Sequence, residues 1–334
     1  MRFRNKKVLV TGGAGFVGSN LVNQLVKEGA VVTVLDDLFT GRKENIAFLK
    51  EIKFVEGSVT DYDLVAELVK KSEIVFNLAV RNIIVSTSSP LLDFQVNGGG
   101  TFNVLLAAKN YGVERVVYTS SASVYGNPRY LPINEDDHLS TLNPYAASKL
   151  SGESYSSAFY ESYGVPVVIL RYSNVYGINQ SPLNPYCGVI SKFFDRIMNG
   201  QAPHIHGDGE QTRDFIHVND ISEAIKLTIK KKITNETFNI GSGTPTKIND
   251  LANLIIKLTN LNRKPIYTKP KPGDIKHSYA DTSKAKRLLG FKPKINLKEG
   301  LKNLIQNLQE NKTYIENLKT KNPNFKIQKL SEIL

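Results

Sequence analysis

The chain has 334 residues, 41% hydrophobic and 22% charged, proportions that exclude wholesale disorder and fibrous repeats. Its longest apolar runs, such as Val31–Leu35 and Val165–Leu170, fall far short of the roughly 18 residues a membrane helix needs. Val8–Val10, after the basic start, is too short for a secretory h-region. The single cysteine, Cys187, excludes an internal disulfide and a cysteine-based zinc site, so a soluble, cytoplasmic protein is expected. A formal charge of +12 favours anionic partners, phosphorylated small molecules among them. Much of that charge lies in lysine-rich stretches that read as solvated faces. No zinc-finger or basic-zipper spacing accompanies it, so neither nucleic acid nor membrane is expected as a partner.

In chain order, the pattern predicts a strand over Lys7–Thr11, a helix over Gly15–Glu28, and strands over Val31–Asp36 and Phe54–Glu56. A helix over Asp61–Lys70, a strand over Ile74–Leu78, a helix over Gly100–Asn110 and a strand over Arg115–Ser120 follow. The series closes with a long helix over Tyr145–Tyr163 and a strand over Val167–Tyr172. Continuous apolar strands alternating with helices predict an α/β fold, a Rossmann-type doubly wound parallel sheet covered on both faces. Past about Tyr176 the texture changes. Asn179–Cys187 reads as a loop, and helices are predicted over Val189–Asn199, Ile221–Lys230, Asn249–Thr259 and Leu297–Gln309. Pro265–Gly273 reads as a Pro/Lys-rich loop. A smaller mixed α/β C-terminal domain is therefore expected over 177–334, with 1–176 forming the first domain and 214–242 returning to it.

Thr11-Gly12-Gly13-Ala14-Gly15-Phe16-Val17-Gly18 joins the first predicted strand to the first helix. Glycines at 12, 15 and 18 permit a tight turn, close approach of backbone to a pyrophosphate, and close helix–strand packing. The helix N-terminus adds amide donors and the positive end of its dipole. Asp36, with Asp37 beside it, closes the second strand about 20 residues on, the context this motif requires. A carboxylate there accepts from the adenosine ribose hydroxyls and repels a 2′-phosphate, which favours NAD over NADP.

Tyr145 and Lys149 stand four apart at the start of a helix, hence on one face. A phenol with pKa near 10 serves as a base at neutral pH only when its anion is stabilised. A neighbouring ammonium and the charge of an oxidised nicotinamide are the expected causes. Upstream, Ser120-Ser121-Ala122-Ser123-Val124-Tyr125-Gly126 lies at the carboxyl end of a strand, where open parallel sheets bind ligands.

With the glycine cradle, the Ser-Ala-Ser-Val-Tyr-Gly segment and the Tyr-x-x-x-Lys pair, the chain resembles the extended short-chain dehydrogenase/reductase superfamily. It is most similar to the nucleotide-sugar epimerase/dehydratase branch, and within it to the UDP-glucose/UDP-N-acetylglucosamine 4-epimerases. Arg171–Gly177, Gly207–Asp220 and Lys271–Asp274 followed by Ala280-Asp281 extend the resemblance to about Ile305. It implies Tyr145 as acid/base, Lys149 as its activator and Ser121 as the hydroxyl partner. For NAD it implies Gly12, Gly15, Phe16, Val17, Gly18, Asp36, Asp37, Ser58, Val59, Leu78, Ala79, Asn97 and Tyr172, together with Tyr145 and Lys149. For the nucleotide sugar it implies Ser123, Asn174, Arg213, Lys271, Asp274 and Ser278. No metal is implied.

The chain departs from the family at Ser58, where an aspartate is usual, and at Asn77, where histidine is commoner. Lys271 stands for an arginine, and the stretch Arg81–Ser86 follows no familiar pattern. The 4,6-dehydratases of the branch carry an Asp-Glu pair at the positions of Ala122 and Ser123, so dehydration is not expected. The resemblance instead implies a redox-neutral C4 inversion of a UDP-sugar through a 4-keto intermediate. Another NAD-dependent nucleotide-sugar reaction on this scaffold (uronate epimerisation, decarboxylation or 4-reduction) is the alternative, and a non-catalytic dinucleotide sensor a remote one. A homodimer is also implied, pairing Gly100–Asn110 and Tyr145–Tyr163 through Phe102, Leu105, Leu106, Phe159 and Tyr163.

Overall fold

A computed structural model of the chain describes residues 3–180, 188–231, 233–270 and 274–321. Its strands are β1 (Lys7–Thr11), β2 (Val31–Asp36), β3 (Lys53–Glu56), β4 (Ile74–Asn77), β5 (Arg115–Ser121) and β6 (Val167–Tyr172). Shorter strands follow: β7 (Asn174–Tyr176), β8 (His204–His206), β9 (Thr212–His217), β10 (Glu236–Ile240), β11 (Pro245–Lys247) and β12 (Ile266–Thr268). Seven strands form one parallel sheet in the order β10-β6-β5-β4-β1-β2-β3. The order reverses beside β1, and the crevice at such a point is where open parallel sheets bind dinucleotides.

The helices are α1 (Phe16–Lys27), α2 (Tyr62–Lys70), α3 (Ile83–Ser88), α4 (Pro90–Asp93), α5 (Gly100–Tyr111) and α6 (Pro144–Tyr163). After them come α7 (Val189–Met198), α8 (Val218–Lys230), α9 (Ile248–Thr259) and α10 (Leu297–Lys321). Alternation along a strand sends Val8 and Val10 to one side of the sheet and Leu9 to the other, all three buried. On the first side they join Leu21 and Leu25 of α1 and Ile221 and Ile225 of α8. On the second, Leu9 joins Val65 and Val69 of α2, Val104 and Ala108 of α5, and Phe159 of α6. Burial on both faces explains why these strands read as unbroken apolar runs.

A third core joins Tyr176, Phe193, Ile197, Leu251, Ile255 and Leu301 beneath α7, α9 and α10. It carries the small sheet β11-β9-β7 and the pair β12-β8. The architecture is the expected one, a Rossmann-type sheet with a smaller mixed α/β second domain. β10 returns to the edge of the main sheet beside β6, and α8 packs on α1.

Several local expectations change. Helical structure fills 83–99, where none was predicted: α3, α4 and a π-helical segment over Phe94–Gly99 lead into α5. The side chain of Asn82 accepts from the amides of Ile84 and Val85, and Pro90 opens α4. Both are proper starts, but the helices between them are too short to show a period. Part of the predicted loop over Pro265–Gly273 is β12, and α10 runs on to Lys321. Cys187 and most of the predicted loop around it lie outside the described residues. Leu105 and Phe159, expected on a dimer face, are buried in the chain's own core. Among the described residues no helix is long and apolar enough to cross a membrane.

Candidate active site

The turn after β1 leaves no room for side chains. A Cβ on Gly18 would lie 2.1 Å from the Gly12 carbonyl oxygen, and one on Gly12, whose φ is +68°, would lie 2.9 Å from the Ala79 nitrogen. Gly15 caps α1 without a side-chain hydrogen bond, and the first turn holds no acidic residue, which suits an anion at this end. Asp36 is buried at the end of β2 and accepts from the amides of Ala14 and Leu38, both at 2.9 Å. Burial pushes its carboxyl up, and those amides partly offset the rise. Each carboxylate oxygen has a second lone pair, so capacity for a ribose hydroxyl remains. A glycine cradle that any Cβ would fill, an uncapped helix start and an acid at the end of the second strand fit a dinucleotide.

Gly12, Gly15, Phe16, Val17, Gly18, Asp36, Asp37, Val59, Leu78 and Ala79 all line this cleft. Ser58 lines a neighbouring cavity instead. Asn97 is buried with its amide already engaged: Oδ1 accepts from the Arg81 amide at 2.7 Å and Nδ2 donates to the Arg81 carbonyl at 2.9 Å. It therefore fixes the chain leaving β4. Arg81 and, from α10, Leu304 and Leu308 also line the cleft, and the sequence reading missed them. The two leucines repeat at i, i+4 as core residues do, and a lone arginine in an unfamiliar loop carries no pattern.

At the carboxyl ends of β5 and β6, Ser121 stands opposite Tyr172 in register. The Ser121 side chain hydrogen-bonds Tyr145, and its Oγ accepts from the Ser123 amide at 3.2 Å. Asn143 accepts from the Ala146 amide and Pro144 opens α6, so the helix start itself places Tyr145. Lys149, one turn on, is buried; its Nζ donates to the Thr119 carbonyl at 2.8 Å and lies 5.2 Å from the centre of the Tyr118 ring. Burial pushes the Tyr145 phenol up to about 12, against the opposing pull of its bond to Ser121. Burial likewise lowers the Lys149 ammonium to about 8, with Asp93 and Glu153 opposing.

Within the protein alone, burial of the Tyr145 phenol thus outweighs any lowering by Lys149. The ammonium is held on a β5 carbonyl, and desolvation of the phenol prevails. Accordingly, the NAD-free protein is expected to show no Tyr145 phenolate below pH 10. Difference absorbance between parent and Tyr145→Phe checks this, and a Tyr145 signal at neutral pH would contradict it.

Two hydroxyls from the expected set, Ser123 and Tyr172, are buried here without a protein partner. Buried hydroxyls are normally satisfied, so both stand ready for a bound molecule. Asp93, unforeseen from sequence, is only 2% exposed and bears on the charges of Tyr145 and Lys149. It accepts from Ser86 and Asn97 at 2.5 Å each and from Ser148 at 3.0 Å, tying α3, the π-helical segment and α6 together.

On the second-domain side, Arg213 donates to Asp274 at 2.6 Å and to the Thr212 carbonyl at 2.8 Å. The Ser278 amide donates to the same carbonyl at 3.2 Å, so Arg213, Asp274 and Ser278 share one neighbourhood. Asn174 is exposed on β7, paired in register with Phe215 of β9. Lys271 lies outside the described residues. Among the described residues, no group of three or more His, Cys, Asp and Glu gathers to hold a metal.

The model of the NAD dependent epimerase/dehydratase family matches residues 8–241. A putative UDP-glucose 4-epimerase of Methanocaldococcus jannaschii is 40% identical over 307 residues, covering 91% of this chain and 99% of the relative. Among solved structures, UDP-glucose 4-epimerase of Thermotoga maritima with UDP-glucose superposes with a TM-score of 0.88 at 36% identity, covering 91% of this chain and 99% of that one. A UDP-N-acetylglucosamine 4-epimerase of Methanobrevibacter ruminantium, in complex with UDP-N-acetylmuramic acid, gives 0.88 at 35% identity, covering 92% and 99%. Matched along most of its length and carrying the cradle, the acid of β2 and the Ser-Tyr-Lys set, the chain belongs to the NAD-dependent epimerase/dehydratase family, whose cofactor is NAD.

Proposed function

We propose that the protein inverts C4 of a UDP-linked hexose or N-acetylhexosamine in the cytoplasm. The observation that carries this reading is the make-up of the Ser121–Tyr145 neighbourhood. It offers a hydrogen-bonded phenol and hydroxyl plus two unpartnered hydroxyls, and has Ala122 and Ser123 where a water-eliminating enzyme of the family needs carboxylates. Bound NAD supplies the acceptor and donor of hydride. Tyr145 takes the proton of the sugar 4-hydroxyl with Ser121 sharing the same hydrogen bond, and returns it when the 4-keto sugar has presented its other face. Lys149, at the Thr119 carbonyl one turn along α6, holds the positive charge of the pair. Tyr172 and Ser123 line the reacting end, and Asn174, Arg213, Asp274 and Lys271 hold the nucleotide diphosphate and its ribose. On this reading residues 1–176 with 214–242 serve the cofactor, and 177–334 mainly serve the nucleotide sugar.

Incubation with a panel of nucleotide sugars, without added cofactor, tests the reaction. Interconversion of a C4 pair at constant total sugar is expected. Carbon dioxide release, or a demand for stoichiometric NADH, would assign the chain to a different reaction.

Ser278 deepens the substrate choice. By its resemblance to the 4-epimerases, a small residue at this position of Gly273–Asp281 implies space beside the sugar C2 substituent. UDP-N-acetylhexosamines are therefore expected to be used at least as well as UDP-hexoses. Ser278→Tyr is expected to remove the N-acetyl activity selectively, because a clash acts on one substrate and not the other. Measured kcat/KM for both sugars in both proteins decides it, and equal losses would defeat the size gate.

We also propose a homodimer through α5 and α6. Phe102 meets Tyr155 and Phe159 edge to face, and Phe159 meets Tyr163, leaving Tyr155 and Tyr163 44% and 58% exposed at the surface. Light scattering at micromolar concentration is expected to give twice the 37.1 kDa chain mass. A monomer mass would count against the dimer.

A further inference from the structure

The ion pair between Asp37 and Arg81 spans the cofactor cleft from side to side. β4, β1 and β2 are successive neighbours in the sheet, with the glycine turn leaving the middle strand. Asp37 directly follows β2, and Arg81 follows β4, so a bond between them reaches from one flank of that turn to the other. Nη2 of Arg81 lies 2.5 Å from Oδ2 of Asp37, and Nη1 lies 3.4 Å from Oδ1. The guanidinium also lies over the Phe39 ring, 4.1 Å from its centre. Asp37 and Arg81 both line the cleft.

Neither end of this bridge is loose. The backbone of Arg81 is pinned by the Asn97 amide, and the Ser86 hydroxyl donates to the Arg81 carbonyl at 3.2 Å. Arg81 is only 8% exposed, yet its Nε has no protein partner. Burying a guanidinium with a donor unused is costly unless something else supplies an acceptor. A dinucleotide lying on the glycine turn brings ribose and pyrophosphate oxygens to the same wall. Asp36, next to Asp37, marks that stretch as the adenosine end, because an acid closing the second strand binds the adenosine ribose.

We infer that Asp37, Arg81 and Phe39 form a clasp over the adenosine end of the cleft that retains NAD between turnovers, with the Arg81 Nε–H as the donor left for a cofactor oxygen. The family relation supplies NAD, and the clasp stands whichever sugar is turned over. Retention matters for any cycle that regenerates its cofactor, since a bound NAD then serves many turnovers.

The test is the rate at which NAD leaves the purified, NAD-loaded protein. Released NAD is trapped by excess alcohol dehydrogenase and ethanol, and NADH is followed by absorbance. Removing one partner of a hydrogen-bonded charge pair acts mainly on dissociation, so Arg81→Met and Asp37→Asn are each expected to speed release about tenfold or more. Arg81→Lys keeps the charge without the fork and is expected to fall between parent and Arg81→Met. Should Arg81→Met fail to fold, the nearly isosteric Asp37→Asn carries the test. Release within twofold of the parent in Asp37→Asn, or slower, overturns the clasp. Equal rates for Arg81→Lys and Arg81→Met overturn its ionic character, since mere filling of space would not distinguish them.

Discussion

Tyr145→Phe is expected to lower turnover by about 10²–10⁴ while leaving NAD content and nucleotide binding nearly intact. The substitution removes one oxygen from a ring whose position is set by the Asn143 cap and the α6 backbone, so the helix start survives. What disappears is the phenol hydrogen-bonded to Ser121. Ser121→Ala removes the partner instead and is expected to cost less, because Tyr145 remains to take the proton. The double variant is expected to be little worse than Tyr145→Phe alone, since residues acting as one unit are not additive. Near-normal turnover of Tyr145→Phe would mean that another group moves the proton. A collapse of NAD content in the same variant would mean that the ring builds the cofactor cleft more than it serves the chemistry.

The direction of the phenol's shift bears on how that loss is read. In the ligand-free protein burial holds Tyr145 at about 12, so at neutral pH it is a phenol and a hydrogen-bond donor. On the proposed mechanism its role as acceptor depends on the Lys149 ammonium together with the positive charge of an oxidised nicotinamide.

The cradle, Asp36 and the Tyr145–Lys149 pair were legible in the sequence because each is a local pattern whose geometry its own backbone dictates. Gly12, Gly15 and Gly18 lie along the short segment from the end of β1 into the start of α1, and Tyr145 and Lys149 lie about one turn apart on one helix. Asp93, Arg81 and Arg171 were not legible as site residues. Their partners are Ser148, Asp37 and Glu153, at sequence separations of 55, 44 and 18 residues. Nothing in a local window marks such a pair. Asp93 and Ser86 are nonetheless among the most buried polar residues of the site. Lys149 shows a different limit: its place in the sequence was clear, but which carbonyl its ammonium meets depends on β5 lying beside α6.

The largest effect on stability is expected from Arg171→Met. Arg171 and Glu153 have side chains only 6% exposed, and the guanidinium donates through Nη2 at 2.6 Å and through Nε at 2.9 Å and 3.2 Å to the two carboxylate oxygens. Its remaining nitrogen donates to the Tyr125 hydroxyl at 2.8 Å and the Glu135 carbonyl at 2.9 Å, while Ser120 donates to Glu153 at 2.5 Å. One cation thus joins β6, α6 and the loop before α6, opposite Ser120 in register. Losing it strands a buried carboxylate, a change worth about 3–5 kcal/mol. Thermal melting of the NAD-loaded protein is expected to fall by several degrees in Arg171→Met. Replacing both charges in Arg171→Met/Glu153→Leu is expected to recover most of that loss, because a buried ion pair and an apolar pair of similar volume are often close in stability. Activity is expected to recover less than stability, since Glu153 supports the charge of Lys149 one turn along the helix. A double variant that melts as low as the single one would mean that the hydrogen bonds to Tyr125 and Glu135, and not the stranded carboxylate, account for the loss.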